Sequence, residues 1–301
     1  MGQGDRILVI VVTYNAMRWA ERCFQSLQAS TVVPDVFVVD NGSADGTQAY
    51  IKATYPQVLL TENHTNLGFG KANNFGLQYA LDNNYDYVYL LNQDAWVMPD
   101  TLEILIRVSK AHPEYAILSP LQVKADGSHL DDLFIMNVIY QHQQRRPYWI
   151  DDICFNRQGE VYEVSFVMAA HWLMTRKCIE TVGGFNPSFP HYGEDDNYVN
   201  RVNYWDMKAG IVPTASAVHD EADPVWSKEK WSYILDYISP MIHASNPLAT
   251  TSLLKYIIIK AGKALVLGDR KTIQYAFRLL RERRQIKENL KASTLPKAFL
   301  D

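Results

Sequence analysis

The chain has 301 residues, 48% hydrophobic and 21% charged, with a net charge of −4. That balance belongs to a folded globular protein of about one elaborated domain and gives no basic excess for a nucleic-acid partner. Cys23, Cys154 and Cys178 show no CxxC spacing, which excludes a disulfide framework or zinc site and fits a reducing compartment.

The segment from Met1 to Arg6 lacks the charged, apolar and small-residue succession of a signal peptide, and no apolar run reaches the ~18 residues of a spanning helix. A cytoplasmic protein is expected, with any membrane contact peripheral and on the inner face. Ile7 to Val12 is an unbroken apolar run that predicts a strand. After Thr13-Tyr14-Asn15, a helix carries Trp19, Cys23, Phe24 and Leu27 at three- and four-residue spacing. Val36 to Val39 predicts a second strand, and Ser43 or Asp45 caps a helix through Tyr50. Val58 to Thr61 reads as a third strand, Gly70 to Leu81 as a helix, and Tyr87 to Leu91 as a fourth strand. A helix from Pro99 and Asp100 to Val108 and a strand at Ala116 to Leu118 complete this half. Buried strands alternating with helices make an α/β protein, with a mainly parallel sheet covered on both faces.

In the next hundred residues, Val164 to Ala170 reads as a strand. Gly183-Gly184-Phe185 is a turn, and Glu194-Asp195-Asp196 opens a helix reaching Arg201. Three carboxylates at a helix start also have a plain reading, as complements to its positive end. His219 ends a further β-like segment. The stretch from Leu121 to Glu163, with Asp131-Asp132, Arg145-Arg146-Pro147-Tyr148-Trp149 and Asp151-Asp152, reads as irregular, with aromatic and acidic groups suited to a cleft. From Lys255 onward, twelve Lys or Arg stand against four Asp or Glu. There Ser252 to Leu267 is apolar but interrupted by Lys255, Lys260 and Lys263, and Arg278 to Lys291 continues as a basic helix. That pattern suits a helix lying on a membrane surface, or one docked on the body with its lysines in water.

A parallel sheet gathers its strand ends at one edge, so Thr13-Tyr14-Asn15, Asp40-Asn41-Gly42-Ser43 and Asn92-Gln93-Asp94 become neighbours. Asn66-Leu67-Gly68-Phe69-Gly70-Lys71 precedes a helix, where the glycines permit close backbone approach and Lys71 could address a phosphate. Gly68-Phe69-Gly70 is no dinucleotide fingerprint, because Asn73 stands in the third glycine's place and the segment does not follow the first strand. Asp94, taken alone, could be only a turn former or helix cap.

These blocks, together with Gly183-Gly184-Phe185-Asn186 and Gly193-Glu194-Asp195-Asp196, resemble the family 2 glycosyltransferases with the GT-A fold over about residues 6 to 220. The rhamnosyltransferase-like branch of bacterial polysaccharide enzymes is the most similar; its fourth strand ends in Leu-Asn-Pro-Asp, where this chain has Leu-Asn-Gln-Asp. The resemblance implies a GT-A domain over 1–220, its nucleotide-sugar half 1–120 and its acceptor half 121–220, and a helical basic extension over 221–301. It also implies an inverting hexosyl transfer from a UDP- or dTDP-sugar to a hydroxyl of a saccharide or lipid-linked saccharide in cell-surface polysaccharide synthesis.

On that resemblance Thr13, Tyr14, Asn15 and Asp40 hold the nucleobase, and Asn41, Asn66, Gly68 and Lys71 line the ribose and diphosphate. Asn92-Gln93-Asp94 replaces the family's Asp-x-Asp motif. Asp94 then binds Mg²⁺ or Mn²⁺, with His219 as a candidate second ligand. Asp195, flanked by Glu194 and Asp196, is the expected catalytic base. His171 and Trp172 are candidates for the sugar site, or else pack. A silent fold-alike that only binds carbohydrate or nucleotide is the main alternative. A sugar nucleotidyltransferase is disfavoured, since Thr13-Tyr14-Asn15-Ala16 forms no triphosphate loop. Self-association stays open.

Overall fold

The computed structural model describes residues 5–140, 148–189, 191–220, 228–249, 252–297 and 299. Its amino half alternates β1 (Ile7–Thr13), α1 (Met17–Gln28), β2 (Asp35–Asp40), α2 (Thr47–Thr54), β3 (Leu59–Glu62), α3 (Phe69–Asp82), β4 (Tyr87–Asn92), β5 (Ala95–Val97), α4 (Thr101–Ala111) and β6 (Tyr115–Val123). There follow α5 (Asp132–Phe134), continued as a π-helix over Ile135–Tyr140, α6 (Tyr148–Cys154), β7 (Tyr162–Val164), β8 (His171–Thr175), α7 (Arg176–Val182), α8 (Glu194–Tyr204) and β9 (Lys208–His219). The tail is α9 (Lys228–Tyr233), a π-helical Ile234–Ile238, α10 (Ser239–Ala244), α11 (Leu253–Leu267) and α12 (Arg270–Ser293). Among the described residues no helix is long and apolar enough to cross a membrane.

The strands form one sheet in the order β3-β2-β1-β4-β8-β6-β9-β5, with β7 also on β9. From β3 to β4 all neighbours are parallel, β8 is inserted antiparallel between β4 and β6, and β9 runs parallel to β6. The apolar run of β1 divides between two cores, because alternate side chains leave opposite faces of a strand. Leu8 and Ile10 join Ala72, Leu77, Trp172 and Tyr198 beneath α3 and α8, while Ile7, Val9 and Val11 meet Phe24, Leu27, Leu102 and Leu105 of α1 and α4. Burying each such side chain stabilises by roughly 1.5–3 kcal/mol. Gly76 lets α3 lie close on the sheet, since a Cβ there would fall 2.5 Å from Ile10 Cδ1.

One expected strand is displaced. Residues 165–170 are irregular, and the ladder resumes only at His171. Their buried carbonyls find partners outside any ladder: Trp172 Nε1 donates to Val167, Gln122 Nε2 to Met168 and the Asn92 amide to Ala170. With those groups satisfied, the buried apolar run has no need to be a strand.

The tail has its own core of Tyr237, Ile238, Met241, Ile257, Ala276, Leu279 and Ile286, which also takes in Phe189 from the loop before α8. Asp236 ties it together, accepting from Ser232 at 3.1 Å, Lys260 at 2.9 Å and Thr272 at 2.9 Å.

Candidate active site

Strand register brings the predicted motifs to one edge. Thr13 lies opposite Asp40, Val12 opposite Asn92 and Ala95 opposite His219. β1 sits where the strand order reverses, the place at which open α/β sheets hold ligands. A cleft of about 860 Å³ opens there. Tyr14, Asn41, Asn66, Gly68 and Lys71 line one side, and Asn92, Gln93 and Asp94 its floor.

At the amino-terminal turn only Tyr14 reaches the cleft. Its amide donates to Gln93 Oε1 at 2.7 Å, and Gln93 Nε2 returns a bond to the Tyr14 carbonyl at 3.3 Å, locking two strand ends together. Thr13 is buried and donates to Asp40 at 2.7 Å, while Asn15 binds the Ala44 amide and is itself held by Ser43. Asp40 corrects its expected role. It is fully buried and accepts from Gly42, Ser43 twice, Gln48 and Thr13. Burial opposes its ionisation, but the bonds from Gln48, Ser43 and Thr13 outweigh it and hold the carboxyl below its ordinary value. Five protein donors fill a carboxylate with about four acceptor sites. Asp40 therefore shapes the turn in place of presenting an acceptor to a base.

Asn41 joins that turn to the next loop. Its Oδ1 accepts from Asn63 and the Leu67 amide, and its Nδ2 donates to the Gly68 carbonyl. Gly68 has φ 82 and ψ 171, a conformation closed to other residues, and starts α3 with no side chain capping its first turn. The open helix start and the exposed Lys71 beside it form an anion cradle.

Asp94 Oδ1 lies 3.7 Å from His219 Nε2, and Asn92 Nδ2 is 3.5 Å from the same nitrogen. Burial, with Asp220 and Asp131 nearby, raises the Asp94 carboxyl above its ordinary value against the pull of His219. A carboxylate and an imidazole so close together would hold a divalent cation between them by an oxygen and a nitrogen ligand. His219 is buried and its Nδ1 has no hydrogen-bond partner, while the Asn92 side-chain amide nitrogen, which can only donate, leaves Nε2 as the acceptor nitrogen that a cation would take. The donor set thus fits a cation as a pair of ligands. Among the described residues no group of three His, Cys, Asp or Glu is arranged to hold a metal ion, so the other positions would fall to substrate oxygens.

His171 and Trp172 are corrected too: both are fully buried outside the cleft lining. His171 bonds the Tyr89 hydroxyl at 2.9 Å and the Val218 carbonyl at 3.0 Å, bracing the strand that carries His219. Burial takes its imidazole down to about 3, so it is neutral. Trp172 stacks on Phe185, with centroids 6.1 Å apart.

The carboxylates of α8 stand on a built support. Arg201, fully buried, donates to the carbonyls of Gly184 and Val182, and Tyr198 donates to Gly183 at 2.8 Å. The last carbonyls of α7 are satisfied in this way, which fixes the Gly183-Gly184-Phe185 turn. Asn74 of α3 brackets Phe185 from its other side, accepting from its amide at 2.6 Å and donating to its carbonyl at 3.0 Å. At the start of α8, Asp195 accepts from the Asp196 and Ala169 amides, and burial raises its carboxyl above its ordinary value. Ala169 adjoins Ala170, whose carbonyl takes the Asn92 backbone amide, so one segment links Asp195 to the strand end that carries Asp94. Burial also raises Asp196, with Asp195 adding like charge, and Glu194 is pushed up to about 8 by burial and both neighbours. The cleft lining includes none of these three; it reaches α8 only through Pro187, Phe189 and His191. Those three lining residues are ones that motif reading passes over, and Val12, Leu67 and Phe69 line the cleft from within or beside the motifs without a role assigned to them. The one signal of Pro187, Phe189 and His191 is position, between a motif and a helix start.

In the expected acceptor stretch, Asp131 caps α5 through the Phe134 amide, Asp132 meets Lys124 at 2.7 Å and Asp152 accepts from Tyr162. Arg145, Arg146 and Pro147 lie outside the described residues.

The sequence profile of glycosyl transferase family 2 matches residues 8–180. An N-acetylglucosaminyl-diphospho-decaprenol L-rhamnosyltransferase of Mycobacterium tuberculosis is 28% identical over 236 residues, 72% of this chain and 77% of that protein. A Pyrobaculum calidifontis mannosyltransferase solved with GDP-Man and Mn²⁺ superposes with a TM-score of 0.57 at 19% identity, covering 97% of this chain and 86% of that one. TarS 1-349 of S. aureus, solved with UDP, gives 0.56 at 15% identity over 96% of this chain and 80% of the other. These likenesses fix the fold as GT-A.

Proposed function

The chain belongs to glycosyl transferase family 2, and from that premise we propose that it moves a sugar, with inversion, from a nucleoside-diphosphate sugar to a hydroxyl of a lipid-linked saccharide. The observation that carries this reading is the single cleft joining an anion cradle at Gly68 and Lys71 to the Asp94–His219 pair. A diphosphate bound in that cleft would be held by Lys71 at one feature and by an ion on Asp94 at the other. The relative named for a decaprenol-linked acceptor supports the acceptor class, and UDP or dTDP is the donor nucleotide that the resemblance implies.

In the reaction so proposed, Lys71 and the α3 amides hold the diphosphate, and Gln93 keeps Tyr14 at the base end. Asp94 and His219 would hold Mg²⁺ or Mn²⁺. When bound, such an ion supplies positive charge for the departing diphosphate. Asp195 takes the proton of the acceptor hydroxyl as its oxygen forms a bond to the anomeric carbon and the carbon–phosphate-oxygen bond breaks in line. Burial raises its proton affinity above that of an ordinary carboxylate, which strengthens it as a base. No enzyme nucleophile enters, so the configuration inverts. Cytoplasmic placement, with peripheral attachment at the inner membrane face, follows from a nucleotide-linked donor and a lipid-linked acceptor.

The test is release of nucleoside diphosphate from a panel of UDP- and dTDP-sugars, with a prenyl-diphosphate-linked saccharide as acceptor and Mn²⁺ or Mg²⁺ present. Metal-dependent release with one donor is expected. Binding of donors without release under any combination would favour the silent binding protein.

A further inference from the structure

The α11–α12 hairpin carries a surface that the transfer site does not use. On α11 only Ile257 and Ala264 are buried, although most of the helix is apolar. Leu254, Ile258 and Leu265 follow at i, i+4 and i+11 along one exposed stripe, with Ile259 and Val266 along the next. Ile258 is 62% exposed, Leu265 67% and Val266 88%. A monomeric protein in water seldom leaves so continuous a face uncovered. Lys255 and Lys263 are exposed among these residues, and Arg270 follows at the hairpin tip.

The two cores of the sheet are covered without this face, and the tail's own core lies on the opposite side of α11, through Ile257, with Ala264 buried on the same side. Among the described residues nothing covers the exposed face. The charge pattern chooses between candidates. A second copy docked two-fold on this face would bring Lys255 and Lys263 toward their own counterparts, which like-charge repulsion opposes. A bilayer with anionic headgroups instead receives the apolar stripe at its acyl boundary and the cations at its headgroups.

We infer that the outer face of α11 and the hairpin tip form an interfacial docking surface for an anionic lipid bilayer. The inference deepens the membrane placement proposed above and rests on it. It also bears on the cleft, because Phe189 belongs both to the tail core and to the cleft lining. A docked hairpin holds that rim of the cleft at the membrane surface, where a lipid-linked acceptor presents its saccharide.

The full chain should be floated with phosphatidylcholine vesicles containing or lacking phosphatidylglycerol, beside the variants Ile258→Ser/Leu265→Ser and Lys255→Glu/Lys263→Glu. Binding is expected at least tenfold tighter to the anionic vesicles, given about 1 kcal/mol per basic group at the surface. The serine pair should lose binding to both, and the glutamate pair should lose the anionic preference. Unchanged thermal melts will show that both variants fold, since the substituted side chains are exposed. Wild-type protein staying with the soluble fraction for both vesicles would overturn the inference, as would binding indifferent to both variants. So would a wild-type dimer that becomes monomeric in the serine pair, which would assign the face to self-association. Donor binding measured on the same preparations separates failure of the docking surface from failure of the transfer site: intact donor binding without flotation refutes the docking surface alone.

Discussion

Replacing Glu194 by Gln tests the electrostatics of the α8 start. Glu194 is 7% exposed, its Oε2 has no hydrogen-bond partner, and Asp195 and Asp196 follow it directly. Burial and those neighbours raise its carboxyl from 4.5 to about 8. A group whose proton affinity is higher in the folded state adds stability below its unfolded value, and that contribution is lost as pH rises through the folded value. Between the two values each pH unit removes about 1.4 kcal/mol. Wild type should therefore lose roughly 2 kcal/mol more than Glu194→Gln between pH 6 and pH 8. The measurement is urea unfolding of both proteins at pH 5 to 9, compared at equal m-value. A stability difference that does not change with pH would refute the claim that Glu194 is buried and protonated.

Three further outcomes are expected. Mn²⁺ titrated calorimetrically should bind weakly to the protein alone and at least tenfold more tightly with UDP or dTDP present, because Asp94 and His219 leave most of the coordination to the diphosphate; tight binding without nucleotide would contradict the pairing. The acid limb of the transfer rate should sit above the ordinary carboxylate range, since Asp195 must be deprotonated to act and burial raises it; a limb at or below the free value would remove Asp195 from that role. Gly76→Ala should destabilise by about 1–3 kcal/mol through its clash with Ile10, less the ~1 kcal/mol that alanine gains in a helix. Ile10→Val should recover part of that loss in the double variant, and a stabilised Gly76→Ala would show that α3 does not lie so close to the sheet.

Periodicity and turn chemistry made the amino half legible, because β1, β4 and β6 are buried on both faces and read as apolar runs. The same signal misled at 165–170, where a buried run has its carbonyls bonded by Trp172, Gln122 and Asn92 and so stays irregular. Motifs located the strand-end residues but not their orientation. Asp40 turns inward to five donors, and His171 and Trp172 lie under the sheet edge, because a sequence shows which residue ends a strand and not how many neighbours reach it. Arg201 likewise reads as a helix-terminal cation, yet it is the buried brace of the preceding turn. The tail's basic and apolar mixture was plain; which of its apolar residues are covered depends on contacts far apart in the chain.

The central claim is that one cleft holds the donor while Asp195, on separate support, removes the acceptor proton. Its most direct test is Asp195→Ala assayed twice on one preparation, for nucleoside-diphosphate-sugar affinity by calorimetry and for sugar transfer with acceptor present. The predicted result is donor affinity within about twofold of wild type with transfer reduced by at least 10²-fold, the scale of a lost general base. Transfer at the wild-type rate would contradict the account.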